Sequence, residues 1–133
     1  MAGRLLFDAS SIIYLMKLRN LGLACDNYIQ WLTVYEVINA LWKEAALFKS
    51  LSAREAGKLV EIFAKMVDFM KLLSPRPYER EILEVAGKLK MTAYDASYVV
   101  LAKHYGLRLV SEDGELRRKA GNVVKALSVD ELL

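Results

Sequence analysis

Asp8, Glu36, Asp95 and Asp113 stand in stretches where a globular chain ordinarily places apolar or neutral side chains. Asp8 ends the run Leu5-Leu6-Phe7, and Glu36 lies within Val34-Tyr35-Glu36-Val37-Ile38. Asp95 sits in Ala93-Tyr94-Asp95-Ala96-Ser97-Tyr98-Val99-Val100, and Asp113 follows Leu107-Arg108-Leu109-Val110-Ser111. An ionised carboxylate withdrawn from water costs several kcal/mol unless it is paired or binds a cation. No Lys or Arg is interleaved closely with the four, so the least costly partner for a cluster of them is a divalent metal. The chemistry such a cluster supports is metal-dependent hydrolysis, with the ion lowering the pKa of a bound water.

The rest of the chain must bring these side chains together. At 133 residues it forms one domain, 1–133, that buries roughly two-thirds of the surface its unfolded form exposes. Hydrophobic residues make up 55% of the sequence, and the mean hydropathy is +0.20. That surplus implies a large core and an apolar surface for a partner to cover. The single Cys25 has no internal disulfide partner, which fits a reducing cytosol. No apolar run approaches the ~18 residues of a membrane span, and Met1-Ala2-Gly3-Arg4 opens no signal-peptide pattern. The expectation is a soluble cytoplasmic protein with no membrane association. Its net charge is +3, and if metal engages the four acids, the remaining 12 face 19 Lys and Arg. A basic exterior of that kind suits a polyanionic substrate.

Residues 4–7 read as a short buried strand and Ser10 to Leu18 as a helix, with Gly22 and Asp26-Asn27 punctuating a connection whose form the sequence leaves open. Thr33 to Phe48 reads as a helix apolar nearly all round, hence buried on more than one face. Ser52-Ala53-Arg54-Glu55 is a capping box opening another helix, and residues 69–73 read as a strand stopped by Ser74-Pro75-Arg76-Pro77. An amphipathic helix carries Ile82, Leu83, Val85, Ala86 and Leu89. Thr92 then caps an apolar helix ending near Tyr105, with Gly106 as its C-cap. Leu107 to Ser111 is the clearest strand, followed by a basic helix (Glu115 to Ala120), a strand (Val123 to Leu127) and a second capping box at Ser128. Strands alternating with helices predict an α/β fold: a three-layer α/β/α sandwich around a mostly parallel sheet.

In such a sheet, strand-to-helix junctions share the carboxyl edge, where ligands bind. Asp8 and Asp113 both fall at such junctions, and Glu36 and Asp95 read as first-turn residues of their helices. Helix capping is the competing role. Thr33-Val34-Tyr35-Glu36 and Thr92-Ala93-Tyr94-Asp95 match the capping-box pattern, and Asp8 and Asp113 are good N-cap residues. The two roles are compatible at one position. Other mechanisms lack their residues: His104 is the only histidine, which excludes a two-histidine ribonuclease and a histidine-rich zinc site. His104 reads as a complement to a helix C-terminus. No glycine-rich phosphate loop is present, and Ser10 stands where a phosphatase of the haloacid dehalogenase type needs a second acid.

The stretches Phe7-Asp8-Ala9-Ser10-Ser11, Tyr35-Glu36-Val37-Ile38-Asn39-Ala40-Leu41, Thr92-Ala93-Tyr94-Asp95-Ala96-Ser97-Tyr98 and Val110-Ser111-Glu112-Asp113 resemble the acidic motifs of PIN-domain nucleases. Their order, their spacing and the chain length are similar to those of the small VapC toxins of toxin–antitoxin pairs. The resemblance implies a parallel sheet between helices, bound Mg²⁺ or Mn²⁺, and endonucleolytic cleavage of RNA leaving 5′-phosphate and 3′-hydroxyl ends. It puts Asp8, Glu36, Asp95 and Asp113 in the places of the family's catalytic, metal-holding acids. Ser10 and Ser111 match the hydroxyl positions beside them, and Asn39 takes a similar supporting place. Glu112 departs from the usual pattern and reads as exposed, with an extra acid supporting the metal-holding residues as the alternative. The implied partners are RNA, a small antitoxin of the VapB kind and a second copy in a homodimer. The apolar candidates for those contacts, on or beside the Thr33–Phe48 helix, are Trp31, Tyr35, Trp42, Leu47 and Phe48. A non-catalytic PIN-fold module that binds RNA or protein is the alternative, and a flavodoxin-like binding module a third.

Overall fold

A computed structural model of the chain describes residues 4–133; Met1-Ala2-Gly3, read above for a signal pattern, lie outside the described residues. The chain runs β1 (Leu5–Phe7), α1 (Ala9–Lys17), β2 (Tyr28–Gln30), α2 (Trp31–Ala46), α3 (Ala53–Val67), β3 (Lys71–Leu73), α4 (Glu79–Leu89), α5 (Ala93–Tyr105), β4 (Arg108–Val110), α6 (Gly114–Ala120) and β5 (Ala126–Leu127). Short 3₁₀ turns cover Leu21–Ala24 and Asp130–Leu132. All strand pairs are parallel, in the order β3-β2-β1-β4-β5.

Alternation along β1 divides the core in two. Leu5 and Phe7 face a cluster built with Ile12 and Leu15 of α1, Val37 and Leu41 of α2 and Phe63 of α3. Leu6 points the other way, onto Tyr98, Val99 and Leu101 of α5 and Leu116 of α6. The three-layer sandwich read from the sequence is therefore the fold. Among the described residues, no helix is long and apolar enough to cross a membrane.

From β1 the strands proceed outward to β2 and β3, and the chain then returns to build β4 and β5 on the other side. The order reverses between β1 and β4, which opens a crevice at the carboxyl edge there. α5 delivers its own start to that crevice. Glu81, early in α4, meets Lys103 and His104, late in α5, so the two helices run antiparallel. The C-terminus of α5 passes through Gly106 directly into β4, which leaves its N-terminus at the opposite, carboxyl edge. Gly106 adopts φ +62°, in the left-handed region where a side chain is strained.

Within the connection whose form the sequence leaves open, residues 28–30 form β2 and hydrogen-bond to strands on both sides. The structure corrects three readings. The helix thought to begin at Thr33 begins at Trp31, with Gln30 as N-cap. That helix is also not buried on several faces: only Thr33, Val37 and Leu41 are buried, whereas α5 has a continuous buried run from Ala96 to Ala102. At Ser128 no α-helix opens. The Glu131 carboxylate accepts from the Ser128 N–H at 3.3 Å, and only the 3₁₀ turn follows.

Candidate active site

Asp8 leaves β1 and becomes the N-cap of α1, its Oδ1 accepting the Ser11 N–H at 2.9 Å. The Ser10 hydroxyl donates to the same Oδ1 at 2.7 Å and in turn accepts the Glu112 N–H at 2.9 Å, 102 residues away in sequence. The Ser11 hydroxyl lies 2.9 Å from the Asp8 carbonyl and 3.0 Å from that of Val110. These serines tie the end of β1 to the end of β4. On the β4 side, Ser111 is buried, and its hydroxyl lies 3.3 Å from that of Ser10 and accepts the Asp113 N–H at 3.0 Å. The Arg117 guanidinium donates to the Ser111 carbonyl at 2.6 Å. Asp113 is the N-cap of α6, its Oδ1 taking the N–H groups of Glu115 and Leu116 at 3.0 and 3.1 Å. The capping readings of Asp8 and Asp113 thus hold, and they coexist with convergence on the crevice.

The expected capping boxes behave otherwise. At α5, the Thr92 hydroxyl accepts the Asp95 N–H at 3.1 Å, but the Asp95 carboxylate accepts no hydrogen bond from any described residue. At α2, Thr33 is the third residue of the helix rather than its cap, and Glu36 lies in the second turn. Thr33 Oγ1 accepts the Gln30 N–H at 3.2 Å and lies 2.8 Å from the Tyr98 hydroxyl, which donates to Glu36 Oε1 at 2.6 Å. Because the phenol proton is committed to Glu36, Thr33 must donate to Tyr98. All three protons in this chain point toward the carboxylate. Burial and the neighbouring Glu36 charge raise the Tyr98 pKa, which keeps the phenol protonated for this task. Sequence reasoning missed Thr33 and Tyr98 as parts of the site, because hydroxyls in apolar helices carry no signal of what they face.

Electrostatics shows which acids share one volume. Burial raises the Asp8 pKa, while its serine neighbours, Ser111 foremost, pull it down. Glu36 is raised by burial, held back by Tyr98, and raised again by the charges of Asp8 and Asp95. Asp95 is raised by burial and then by Asp113 and Asp8, with Lys119 opposing. Asp8 and Asp95 thus link all four carboxylates electrostatically, and the like charges around Glu36 and Asp95 add to the cost of ionising those two.

Two open clefts meet the acids. One, of about 600 Å³, has Asp95 and Asp113 in its wall with Thr92, Lys90 and Lys119. The Lys119 ammonium is anchored on the Lys90 carbonyl at 2.7 Å and on Glu115 at 3.1 Å. The other, of about 300 Å³, is lined by Leu32, Tyr35, Glu36, Asn39 and Tyr94. Asn39 is exposed there and bonds to none of the acids. Glu112 is half-buried rather than exposed, and its Oε2 accepts the Val129 N–H at 2.8 Å, bracing the C-terminal turn.

The donor set suits a hard divalent cation, since every candidate ligand is a carboxylate oxygen. The hydrogen bonds to Asp8, Glu36 and Asp113 fall on one oxygen of each, and those to Asp95 on neither, leaving oxygens free to coordinate. No three His, Cys, Asp or Glu side chains among the described residues are drawn tightly enough to close round an ion as they stand.

Comparison with known proteins agrees with this architecture. Over 102 residues, the chain is 40% identical to a protein named exonuclease VapC9 from Pyrobaculum aerophilum, covering 77% of this chain and 71% of that one. It is 35% identical over 91 residues to ribonuclease VapC3 of the same organism, covering 66% of each. The crystal structure of PAE2754 from Pyrobaculum aerophilum superposes with a TM-score of 0.81 at 33% identity, over 99% of this chain and 93% of that one. The toxin–antitoxin complex VapBC from Salmonella typhimurium, solved bound to DNA, shares the fold at a TM-score of 0.67 and 14% identity, over 96% and 98% of the chains. The sequence profile of the PIN domain matches residues 5–122, and the chain belongs to the PIN domain family.

Proposed function

We propose that this protein is a metal-dependent endoribonuclease, the toxin of a VapBC-type toxin–antitoxin pair. The observation that carries the reading is the convergence of four electrostatically linked carboxylates at the reversal point of a PIN fold. Two relatives bear nuclease names, one exonuclease and one ribonuclease. Asp8, Glu36, Asp95 and Asp113 would hold Mg²⁺ or Mn²⁺, which would supply an activated water for hydrolysis of the RNA phosphodiester. Ser10 and Ser111 fix Asp8 and the backbone at Asp113, Tyr98 fixes Glu36, and Lys90 and Lys119 offer positive charge to the phosphates beside Asp95. Asn39 faces the substrate side of Glu36.

The proposed partners lie on α2. Trp31, Ile38 and Trp42 recur at helical spacing and are 55%, 44% and 53% exposed. Aromatic side chains are the usual anchors of interfaces. We assign this face to a homodimer contact and to a segment of a small antitoxin, in a cytoplasmic setting. Such a segment inhibits most directly by pairing a basic side chain with the acids.

A circular RNA tests the mode of cleavage, because it has no ends. Linearisation by the wild type with Mg²⁺ or Mn²⁺, lost on chelation and lost in a well-folded Asp95→Asn protein, is the expected result. Cleavage by Asp95→Asn at the wild-type rate would refute the assignment, and digestion of linear RNA alone would make the enzyme an exonuclease. A chelator without effect on RNA binding, in a protein that never cleaves, would favour the non-catalytic alternative.

A further inference from the structure

Of the seven tyrosines, five have partners within the fold. Tyr14 donates to Asp130 and Tyr98 to Glu36, while Tyr28, Tyr78 and Tyr105 pack against one another or against His104. Tyr35 and Tyr94 have no hydroxyl hydrogen bond and no aromatic neighbour among the described residues. They are also 72% and 64% exposed. Neither ring supports the fold, yet both line the same cleft, together with Glu36 and Asn39. Each directly precedes a site acid, Glu36 or Asp95, on a different helix. Two helices thus present one free aromatic ring each at the mouth of the acid cluster.

We propose that Tyr35 and Tyr94 form a stacking receptor for one unpaired nucleobase beside the bond that is cut. The inference rests on the nuclease reading above. Stacking on aromatic rings is the common means of holding single-stranded nucleic acid, because every base has a π-face. A base held in a duplex is already stacked on its neighbours and presents no free face to the rings. Leu32 lines the same cleft, and the exposed Asn39 beside it offers an amide to the polar edge of the base. Lys90 and Lys119 line the cleft beyond Asp95, so a strand with its base on the tyrosines carries its backbone across the acids toward positive charge.

The test is steady-state cleavage of a short single-stranded RNA by wild type, Tyr35→Ala, Tyr94→Ala and the corresponding Phe variants. Each Ala substitution should raise KM at least about fivefold with a smaller change in kcat, and each Phe variant should stay within about twofold of wild type. A substrate with an abasic nucleotide at the cut site supplies the second arm. It should cost the wild type as much as the double Ala variant loses on normal RNA, and cost that variant nothing further. An unchanged KM in both Ala variants, or an equal abasic penalty in wild type and double variant, overturns the receptor while leaving the nuclease intact. Unchanged KM with lost binding of a protein partner assigns the rings to a protein interface and equally overturns it. Wild type that cuts no RNA removes the nuclease reading and the receptor together.

Discussion

Glu36 depends on a single phenol for its orientation, and that phenol on a single threonine. The Tyr98→Phe variant keeps the ring and its packing but takes away the proton that Glu36 Oε1 accepts. A hydrogen bond to a charged group is worth about 1.5–3 kcal/mol. With Glu36 released, kcat should fall roughly tenfold or more, with little change in KM for RNA. A kcat equal to wild type in Tyr98→Phe would show that Glu36 needs no such support. Asp8 presents the opposite case, since its position beside Ser10 and Ser11 is set locally by the N-cap of α1. Its role was legible because Asp after a buried strand is a recognisable cap. That of Tyr98 was not, because its partner is 62 residues away.

The start of α2 shows how one misplaced boundary changes the reading of a side chain. The Thr-x-x-Glu spacing suggested a cap at Thr33, but the helix begins two residues earlier because β2 feeds it directly. β2 has only three residues, too few for alternation to reveal it. Its strand character comes from the parallel neighbours β1 and β3, and the Asn27 side chain just before it accepts the Leu5 N–H at 3.0 Å. Thr33→Val preserves shape while removing a hydroxyl that serves both the Gln30 N–H and Tyr98. Thermal or denaturant unfolding should show a loss of about 1–3 kcal/mol, the cost of leaving buried groups unsatisfied. Activity should fall with it, since Tyr98 loses its donor. A variant as stable as wild type would show that water replaces the hydroxyl.

In the whole protein, the clustered acids make stability a function of pH and metal. Burial raises Asp8, Glu36 and Asp95 above their ordinary carboxyl range in the folded chain. The folded state therefore binds these protons more tightly than the unfolded state. The resulting stability is fully present below the unfolded values, near pH 4, and is lost as pH rises through the raised folded values. Metal-free protein in chelator should thus melt at higher temperature near pH 5 than these groups allow at pH 7, and Asp8→Asn should flatten that difference. At pH 7, millimolar Mg²⁺ or Mn²⁺ should raise Tm, because an ion that binds only the folded state stabilises it. An equal rise in the Asp8→Asn, Asp113→Asn double variant would mark a general salt effect. The apolar stripe on α2 makes a separate prediction. Light scattering should find a dimer at micromolar concentration, and Trp42→Glu should weaken both self-association and antitoxin binding. A wild-type monomer whose partner binding survives Trp42→Glu would leave the stripe without the assigned role.

What the sequence settled follows from short-range rules. Short apolar runs alternating with helical patterns pointed to an α/β chain, Thr92 and Gly106 marked the ends of α5, and the four acids stood out against apolar neighbours. Each of these depends on residues a few positions apart. The tertiary structure decided what depends on separations of tens of residues. It placed β1 beside β4, so that Ser10 reaches Glu112. It buried the middle of α5, Ala96 to Ala102, while leaving the apolar α2 half in solvent, because the sheet and α4 cover α5 and no described residue covers the Trp31–Trp42 stripe. It also turned Glu112 from the crevice to the Val129 N–H and joined Thr33 and Tyr98 behind Glu36. Local propensity fixes what a segment forms, but which side chains meet is set by the sheet order that brings the segments together.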